Sequence, residues 1–193
     1  MEIQIPNRFV TPEEYLALEL LAEYKNEYLD GKILPMTSHS IDQNGITVDC
    51  MCSIADGVEH EEWFVFTSSF KIRIDQPRCY FYPEISICKG KPNVVDNQYA
   101  YTNPTVVVEV LAEWSESFDR GKKFHRYKQI PSLTEYILIA QDEYQIDVFQ
   151  KAHDGIWQLR SYSGLEDVLE IKSLKLSLPL ADIYRRVKLG NNA

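Results

Sequence analysis

The chain has few cysteines and no long apolar run, and each shortage excludes a class of protein. Its 193 residues include 4 cysteines, at Cys50, Cys52, Cys79 and Cys88. They form one C-x-C and two single positions, not the paired C-x-x-C spacing of a structural zinc site. No stretch approaches the roughly 18 apolar residues of a membrane span, and Met1–Arg8 lacks a signal peptide's apolar core. We therefore expect reduced, mostly buried thiols in a cytoplasmic protein with no membrane partner.

An excess of positive charge is also lacking. Lys and Arg number 20 against 29 Asp and Glu, which gives a formal net charge of −9. This balance argues against a protein that coats nucleic acid non-specifically. A local basic run does exist, because residues 119–128 hold five Lys or Arg against one Asp, although such runs usually form only a solvated helix face. No Gly-rich phosphate loop is present, and His39, His60, His125 and His153 show no metal-ligand spacing.

The first third of the chain predicts two helices separated by a hairpin, within a single domain spanning 1–193. Thr11 and Pro12 are typical of a helix N-terminus, and the apolar pattern continues to about Tyr24. Glu27–Met36 predicts two short strands around an Asp-Gly turn. Residues 40–58 predict a second helix.

The remaining pattern is mainly β, which gives an α+β fold class. Strands are predicted at 63–66, 70–74, 80–88, 105–111, 135–140, 144–150, 156–162 and 172–178. Segment 89–103 is polar and rich in Pro and Asn, so we interpret it as a surface loop. A helix is predicted from about Ser117 to Gln129, and a short amphipathic one over 180–187.

Glu109 interrupts the otherwise apolar strand Pro104–Leu111. A carboxylate there is costly unless a metal, a cation or good hydrogen bonds compensate it. Side chains alternate along a strand, so Val107, Glu109 and Leu111 share one face. The acid is therefore held on a rigid element, as a catalytic group should be. A charge at the solvent edge of the sheet is the alternative.

A second acid, Glu84, lies within the apolar stretch Tyr80–Cys88. Two strands that each direct one carboxylate inward could hold Mg²⁺ or Mn²⁺, because Mg²⁺ prefers oxygen ligands. Such an ion could activate a water and neutralise charge on a phosphodiester. The alternative is that Glu84 pairs with a nearby cation such as Arg73 or Arg78.

The basic helix supplies a third element. Asp119, Lys123 and Tyr127 fall at i, i+4 and i+8, so they line one stripe. A lysine on that stripe could reach over a metal-bound water or a scissile phosphate. The alternative is a surface pair of Asp119 and Lys123 worth roughly 0.3–0.5 kcal/mol.

This order of features resembles the PD-(D/E)XK nuclease superfamily and, more narrowly, the Uma-type family of restriction endonucleases. The resemblance implies a restriction-endonuclease-like core, a mixed β-sheet flanked by helices, with the site at one end of the sheet. It covers nearly the whole chain in the expected order. The matching stretches are Phe9–Tyr15, Glu27–Met36, Tyr82–Ile87, Val107–Leu111, Asp119–Tyr127 and Ile130–Ile139.

The resemblance also implies site residues and a reaction. Glu27 matches the family's early acid, Glu84 takes the place of the Asp in its Pro-Asp pair, and Glu109 matches the (D/E)XK acid. Lys123 matches the helix lysine and Tyr127 the tyrosine one turn further on. The implied activity is Mg²⁺- or Mn²⁺-dependent cleavage of DNA. Glu84 and Glu109 would hold the metal, Glu27 would be a third ligand or orient the metal-bound water, and Lys123 would stabilise developing negative charge or position the water.

Further expectations concern partners. Lys122 and Arg126 are interpreted as contacts to DNA phosphates, and Asp119 as a supporting residue. Segment 89–103 is the expected substrate-contacting loop. The superfamily implies a homodimer, whose two sites can address two strands.

Two departures from the family pattern, and one from the wider superfamily, leave other functions open. Position 84 is Glu where the family has Asp, Gln43 replaces a histidine, and Leu111 stands where the wider superfamily has lysine. One alternative is therefore a catalytically degenerate relative that binds nucleic acid or protein. Another is a hydrolase of a small phosphate ester, which would need a closed pocket too narrow for a duplex.

Overall fold

The structure, a computed structural model, describes residues 5–112 and 115–189. Its helices are α1 Pro12–Glu19, α2 Ile41–Gly57, α3 Glu116–Phe118, α4 Phe124–Tyr127 and α5 Leu180–Ile183, with a 3-10 turn at Asp96–Gln98 and a π-helical segment, Asp119–Lys123, between α3 and α4. The strands are β1 Asn26–Leu29, β2 Lys32–Pro35, β3 Trp63–Thr67, β4 Lys71–Asp75, β5 Arg78–Phe81, β6 Ile85–Lys89, β7 Val94–Val95, β8 Ala100–Tyr101, β9 Val106–Leu111, β10 Glu135–Ala140, β11 Gln145–Lys151, β12 Trp157–Ser163, β13 Val168–Ile171 and β14 Leu176–Pro179.

Two six-stranded sheets form the frame of the described residues. The first sheet has the order β2-β1-β5-β4-β8-β7, and the second has the order β12-β11-β10-β9-β6-β3. Strand β9 pairs in parallel with β10 and antiparallel with β6. The predicted α+β class and mixed sheet are therefore confirmed. Among the residues described, no helix is both long enough and apolar enough to cross a membrane.

Strand β9 lies inside the second sheet and separates two apolar cores. Val106, Val108 and Val110 pack into one core with the buried side chains of α2 and α5. Val107 and Leu111 pack into the other, beneath the helical segments 116–127. The strand is fully buried because each face meets a separate core, as an interior strand requires. Glu109 is on the second face, as the alternation predicted.

Helix α1 begins where predicted and ends earlier. The Thr11 side chain accepts a hydrogen bond from the Glu14 backbone N–H at 3.2 Å, and Pro12 occupies the first turn. The helix ends at Glu19 instead of about Tyr24. The Glu19 carboxylate accepts hydrogen bonds from the backbone and side-chain nitrogens of Asn26, each at 3.0 Å. These contacts tie the helix end to the start of β1.

The predicted strand 80–88 is wrong in one informative respect. It is two strands, β5 and β6, interrupted at residues 82–84. Pro83 has no N–H to donate to a ladder and so disfavours a continuous strand. Strand β5 belongs to the first sheet and β6 to the second, so residues 82–84 carry the chain between sheets. Glu84 lies at this crossing.

Two other segments differ from their predictions. Residues 89–103, predicted as a loop, contain β7, the 3-10 turn and β8, which pairs in parallel with β4. Residues 172–178, predicted as a strand, include a turn between β13 and β14. That turn is fixed by Glu135, whose carboxylate accepts hydrogen bonds from the backbone N–H groups of Lys172 and Ser173. Each segment is held by a distant partner, β8 by β4 and the turn by Glu135, and local sequence does not encode these contacts.

Candidate active site

Five charged side chains meet in one cavity between the two sheets. Glu27 comes from β1 of the first sheet, Glu109 from β9 of the second, and Glu84 from the crossing between them. Asp119 and Lys123 come from the π-helical segment. All five are buried, with exposures from 2% for Glu109 to 7% for Lys123. They line a cavity of about 390 Å³. The structure thus brings together the four residues predicted as catalytic and one predicted as supporting.

Lys123 lies at the centre of this cluster. Its Nζ is 3.0 Å from Glu27 Oε1, 3.2 Å from Glu109 Oε1 and 3.3 Å from Asp119 Oδ1. Burial lowers the pKa of Lys123, but the surrounding carboxylates outweigh it and raise the pKa well above its ordinary value. The predicted supporting residue Tyr127 donates from its hydroxyl to Glu109 Oε1 at 3.3 Å. Lys123 is therefore a buried cation, and the alternative of a surface pair is wrong.

Glu84 accepts hydrogen bonds from neutral donors and not from Lys123. Gln43 Nε2 donates to Glu84 Oε1 at 3.3 Å, and the Val110 backbone N–H donates to Oε2 at 3.4 Å. Gln43 also donates to the Val110 carbonyl at 2.9 Å, which anchors the start of α2 on β9. His39 Nε2 lies 3.4 Å from Glu84 Oε1. The sequence did not predict His39 as a site residue, because its spacing from the other histidines and from the acids matches no known motif.

The structure also contradicts the alternative interpretations of Glu84, as the partner of an arginine, and of Glu109, as a charge at the edge of the sheet. Arg73 contacts Asp75 and Asp96, and Arg78 contacts Glu13, so neither arginine pairs with Glu84. A solvent-edge position for Glu109 is wrong because that side chain is 2% exposed on an interior strand.

The cluster carries more negative than positive charge. Burial raises the pKa of Glu27 to about 7, with the charge of Glu109 adding to the rise and that of Lys123 opposing it. Burial also raises the pKa of Glu84, and it raises that of Glu109 well above its ordinary value. Lys123 opposes the rise for Glu109, and the charge of Glu84 adds to it. Glu27 therefore takes up its proton near neutral pH, and the excess of carboxylates favours an added cation.

The π-helical segment sets the direction of Asp119 and Lys123. Such segments widen one helical turn and recur at functional sites. Here the Tyr136 hydroxyl donates to the Asp119 carbonyl at 3.1 Å. Arg120 Nη1 donates to Asp147 Oδ2 on β11 at 2.6 Å. These two contacts fix the segment against the second sheet, so that Asp119 and Lys123 face the cavity.

Asp147→Asn is expected to lower the free energy of unfolding by about 2 kcal/mol, the order of a hydrogen bond to a charged group. Asp147 is 5% exposed and accepts from both Arg120 and Ser161, so the amide leaves one contact unmatched. Urea denaturation monitored by circular dichroism measures the change. The exposed Asp154→Asn variant is the control, and equal effects at the two positions would contradict the anchoring role.

Of the two residues predicted to contact phosphates, Lys122 lines the cavity and Arg126 does not. Lys122 is exposed and lines the cavity, as does the exposed Lys32. Arg126 Nη2 instead lies 2.6 Å from Asp30 Oδ1, and Arg126 does not line the cavity. No residue of 89–103 lines it either. Lys32 carried no sequence signal, because it is a single lysine in a short hairpin.

The donor atoms fit a hard divalent cation, although a finished metal cage is not formed. Within 5–112 and 115–189, no group of three or more His, Cys, Asp or Glu side chains is spaced to hold a metal ion. Lys123 instead supplies the positive charge among the carboxylates. Buried Asp119 Oδ1 has no hydrogen-bond partner despite its 3.3 Å approach to Lys123. Anionic oxygens in excess of their cation are the donors that Mg²⁺ and Mn²⁺ prefer.

The mixed sheet, the inward acids of β1, β9 and the crossing between the sheets, and the helix lysine are typical of a restriction-endonuclease-like protein. The chain belongs to the Uma2 family, described as "Putative restriction endonuclease", which residues 12–181 match. It is 31% identical over 177 residues to one uncharacterized protein of Synechocystis sp., covering 91% of this chain and 100% of that protein. It is 35% identical over 179 residues to a second, covering 91% of this chain and 92% of that protein.

A solved structure shares the fold. It is described as "a putative nuclease belonging to DUF820" from Anabaena variabilis. The TM-score is 0.75 at 19% sequence identity, and the match covers 91% of this chain and 98% of that one. The likeness at this identity extends to the fold, and the chemistry of the present site rests on its own residues.

Proposed function

We propose that the protein is an endonuclease that hydrolyses DNA phosphodiester bonds with Mg²⁺ or Mn²⁺. One observation carries the proposal: four buried carboxylates and a single buried lysine line one cavity, which exposed Lys32 and Lys122 also line. An excess of buried negative charge is expensive for a structural core. It is an advantage where a divalent cation and a phosphate must be bound together.

Each residue has a distinct part in this proposal. Glu84 and Glu109 would hold the metal, which when bound supplies charge neutralisation and a more acidic water. Glu27, fixed by the Tyr82 backbone N–H at 3.1 Å, would complete the ligand set or orient water. Lys123 would stabilise negative charge on the scissile phosphate, and Tyr127 would hold Glu109 in place.

Lys122, exposed at the cavity, would contact a neighbouring phosphate. Arg126, bound to Asp30, would need to exchange that partner to do the same. The homodimer expected from the sequence stays a prediction.

A degenerate binding module is the second candidate. The observation that favours it is the set of three contacts from Lys123 Nζ to Glu27, Glu109 and Asp119, which neutralises much of the cluster without a metal. The Glu84–Gln43 contact adds to it, since both positions differ from the family pattern. Metal affinity separates the two candidates.

Calorimetric titration of Mn²⁺ into the metal-free protein tests the proposal. We expect binding in the micromolar range that is lost in Glu84→Ala and in Glu109→Ala, with cleavage of a plasmid substrate lost in parallel. Glu166→Ala, at an exposed acid outside the cavity, is the matched control and should behave as wild type. Absence of binding, or binding that neither site variant changes, would favour the degenerate module.

A further inference from the structure

The carboxylate cavity continues into a second cavity. The second has a volume of about 490 Å³ and shares Met36, Thr37 and His39 with the first. Its other lining residues include Tyr24 and Lys25. The two cavities form one trough, which we call the β2 trough because the residues they share directly follow β2. Lys122 and Glu84 line the first cavity, and Tyr24 lines the second.

The exposed ionic side chains of the β2 trough have the opposite sign from the protein as a whole. The chain has a formal net charge of −9. Among the residues described, the Asp and Glu side chains lining either cavity are the four buried ones of the site. The exposed ionic side chains of the lining are Lys32, Lys122 and Lys25. A phosphate chain lying along the trough would therefore meet cations at the surface and carboxylates only at the reacting position.

One end of the trough offers an aromatic face. Tyr24 is 69% exposed, although burying a tyrosine ring is favourable. Lys25 is beside it, and its Nζ donates to the Ser68 carbonyl at 2.8 Å and lies 5.7 Å from the centre of the Tyr82 ring. Tyr82 lines the carboxylate cavity. An exposed ring beside a fixed cation is the combination that binds an unstacked base and its phosphate.

The depth of the site limits which nucleic acid can use it. The four carboxylates are 2–6% exposed and line a cavity of about 390 Å³. That volume is in the range of small-ligand pockets, roughly 300–1,000 Å³. A stacked duplex holds its two backbones on a wide cylinder, whereas an unpaired strand is narrow enough to follow a groove lined by cations and to stack a base on an aromatic ring.

We propose that the β2 trough binds a single strand of DNA, with one phosphate at Glu84, Glu109 and Lys123 and an unstacked base on Tyr24. This inference rests on the proposed nuclease function and specifies its substrate as unpaired rather than duplex DNA. Lys122 and Lys32 contact the strand on one side of the scissile phosphate, and Lys25 contacts it on the other.

Fluorescence anisotropy with a labelled single strand of about 12 nucleotides, within the site size of single-strand binders, tests the proposal. The same sequence as a blunt duplex and as a mononucleotide provides the comparison. Titrations run in EDTA and with Mg²⁺, and gels check that the strand stays intact. We expect the single strand to bind at least about ten-fold more tightly than either comparison ligand.

Variants locate the bound strand. Tyr24→Ala should weaken single-strand binding by about five-fold or more, the lower end of one base stacked on an aromatic ring, and Tyr24→Phe should retain it. Lys25→Ala should reduce the slope of log affinity against log salt by about 0.7, the value for one phosphate contact of a single strand. Tyr99→Ala and Lys188→Ala change exposed residues of the same types outside the trough and should have no effect.

Each contrary result has a separate meaning. Equal or tighter duplex binding, or a Tyr24→Ala variant that binds as wild type, would overturn the single-strand inference. If Mn²⁺ binding and duplex cleavage still depend on Glu84 and Glu109, the nuclease function itself stands. Hydrolysis of mononucleotides or a small phosphate ester without affinity for either polymer would overturn both and identify the cavity as a small-substrate pocket.

Discussion

Lys123→Met is expected to lower the free energy of unfolding by about 3–5 kcal/mol at pH 8, the usual cost of removing one partner from a buried ion pair. The Nζ atom lies within 3.3 Å of an oxygen of each of three buried carboxylates. Methionine keeps most of the side-chain volume and removes the charge. The carboxylates then face one another without a cation, and some must take up protons for the chain to fold.

The loss of stability expected for Lys123→Met depends on pH. An acid whose pKa is raised by folding stabilises the fold below its unfolded pKa, and that contribution is lost as the pH rises through the folded pKa. For Glu27 the window lies between the ordinary value of 4.5 and about 7. Lys123 lowers the pKa values of Glu27, Glu84 and Glu109, so the variant extends this window upward. It should be only slightly destabilised at pH 5 and most destabilised above pH 8.

Urea denaturation from pH 5 to pH 8.5 measures this dependence. Lys122→Met, at the exposed neighbouring position, is the matched control and should stay within about 0.5 kcal/mol of wild type. A loss of the same size at every pH would show that the methionine packs poorly, and that Lys123 does not act through its charge.

The family resemblance implied that these residues share a site, and local signals predicted most of the elements that carry them. The β-branched run around Glu109 predicts a strand, and alternation alone assigns the acid to the face of Val107 and Leu111. The Asp-Gly hairpin places Glu27 on a short strand, and helical spacing aligns Asp119, Lys123 and Tyr127. What no local signal gives is that these elements come from two sheets. That arrangement depends on the crossing at residues 82–84.

The parts that were missed depend on contacts between distant segments. Gln43 was known only as a departure from the family pattern, and its donation to Glu84 and Val110 requires α2 to start beside β9. His39 precedes that helix and reaches the same carboxylate. The π-helical geometry of Asp119–Lys123 is also absent from the local pattern, because it is stabilised by Tyr136 and Asp147 on other strands. Contacts between segments that are distant in the sequence determine all three features.

Glu109→Gln is expected to raise the stability of the metal-free protein at pH 8 while abolishing Mn²⁺ binding and cleavage. Wild-type Glu109 is buried beside Glu84, Glu27 and Asp119, and its pKa is raised well above the ordinary value. Keeping it ionised at pH 8 therefore costs folding free energy, and the amide removes that cost. Lys123 retains Glu27 and Asp119 as partners. A gain of ~1–2 kcal/mol is expected, in the range seen when buried charges are replaced by neutral groups.

The pH dependence again has a definite sign. The raised pKa of Glu109 means that the folded chain holds this proton more tightly as the pH falls, so the Glu109→Gln variant and the wild-type protein should approach equal stability at acidic pH. As the pH rises, the variant should become the more stable of the two in EDTA. Added Mn²⁺ should raise the melting temperature of wild type only, because binding to the native state stabilises it by mass action. Thermal unfolding of both proteins, with and without Mn²⁺ at each pH, measures these differences.

Glu135→Gln is the matched control for a buried carboxylate outside the site. Glu135 is 1% exposed and accepts from the backbone N–H groups of Lys172 and Ser173. In the glutamine variant, the side-chain NH₂ group would face a backbone N–H group, and two donors cannot form a hydrogen bond. This variant should therefore lose stability at pH 8, where Glu109→Gln gains it. If Glu109→Gln is destabilised in the same way, Glu109 is mainly a structural partner of Lys123. Opposite signs would mean that the chain keeps Glu109 at a cost in stability, as selection for a function of the ionised group requires.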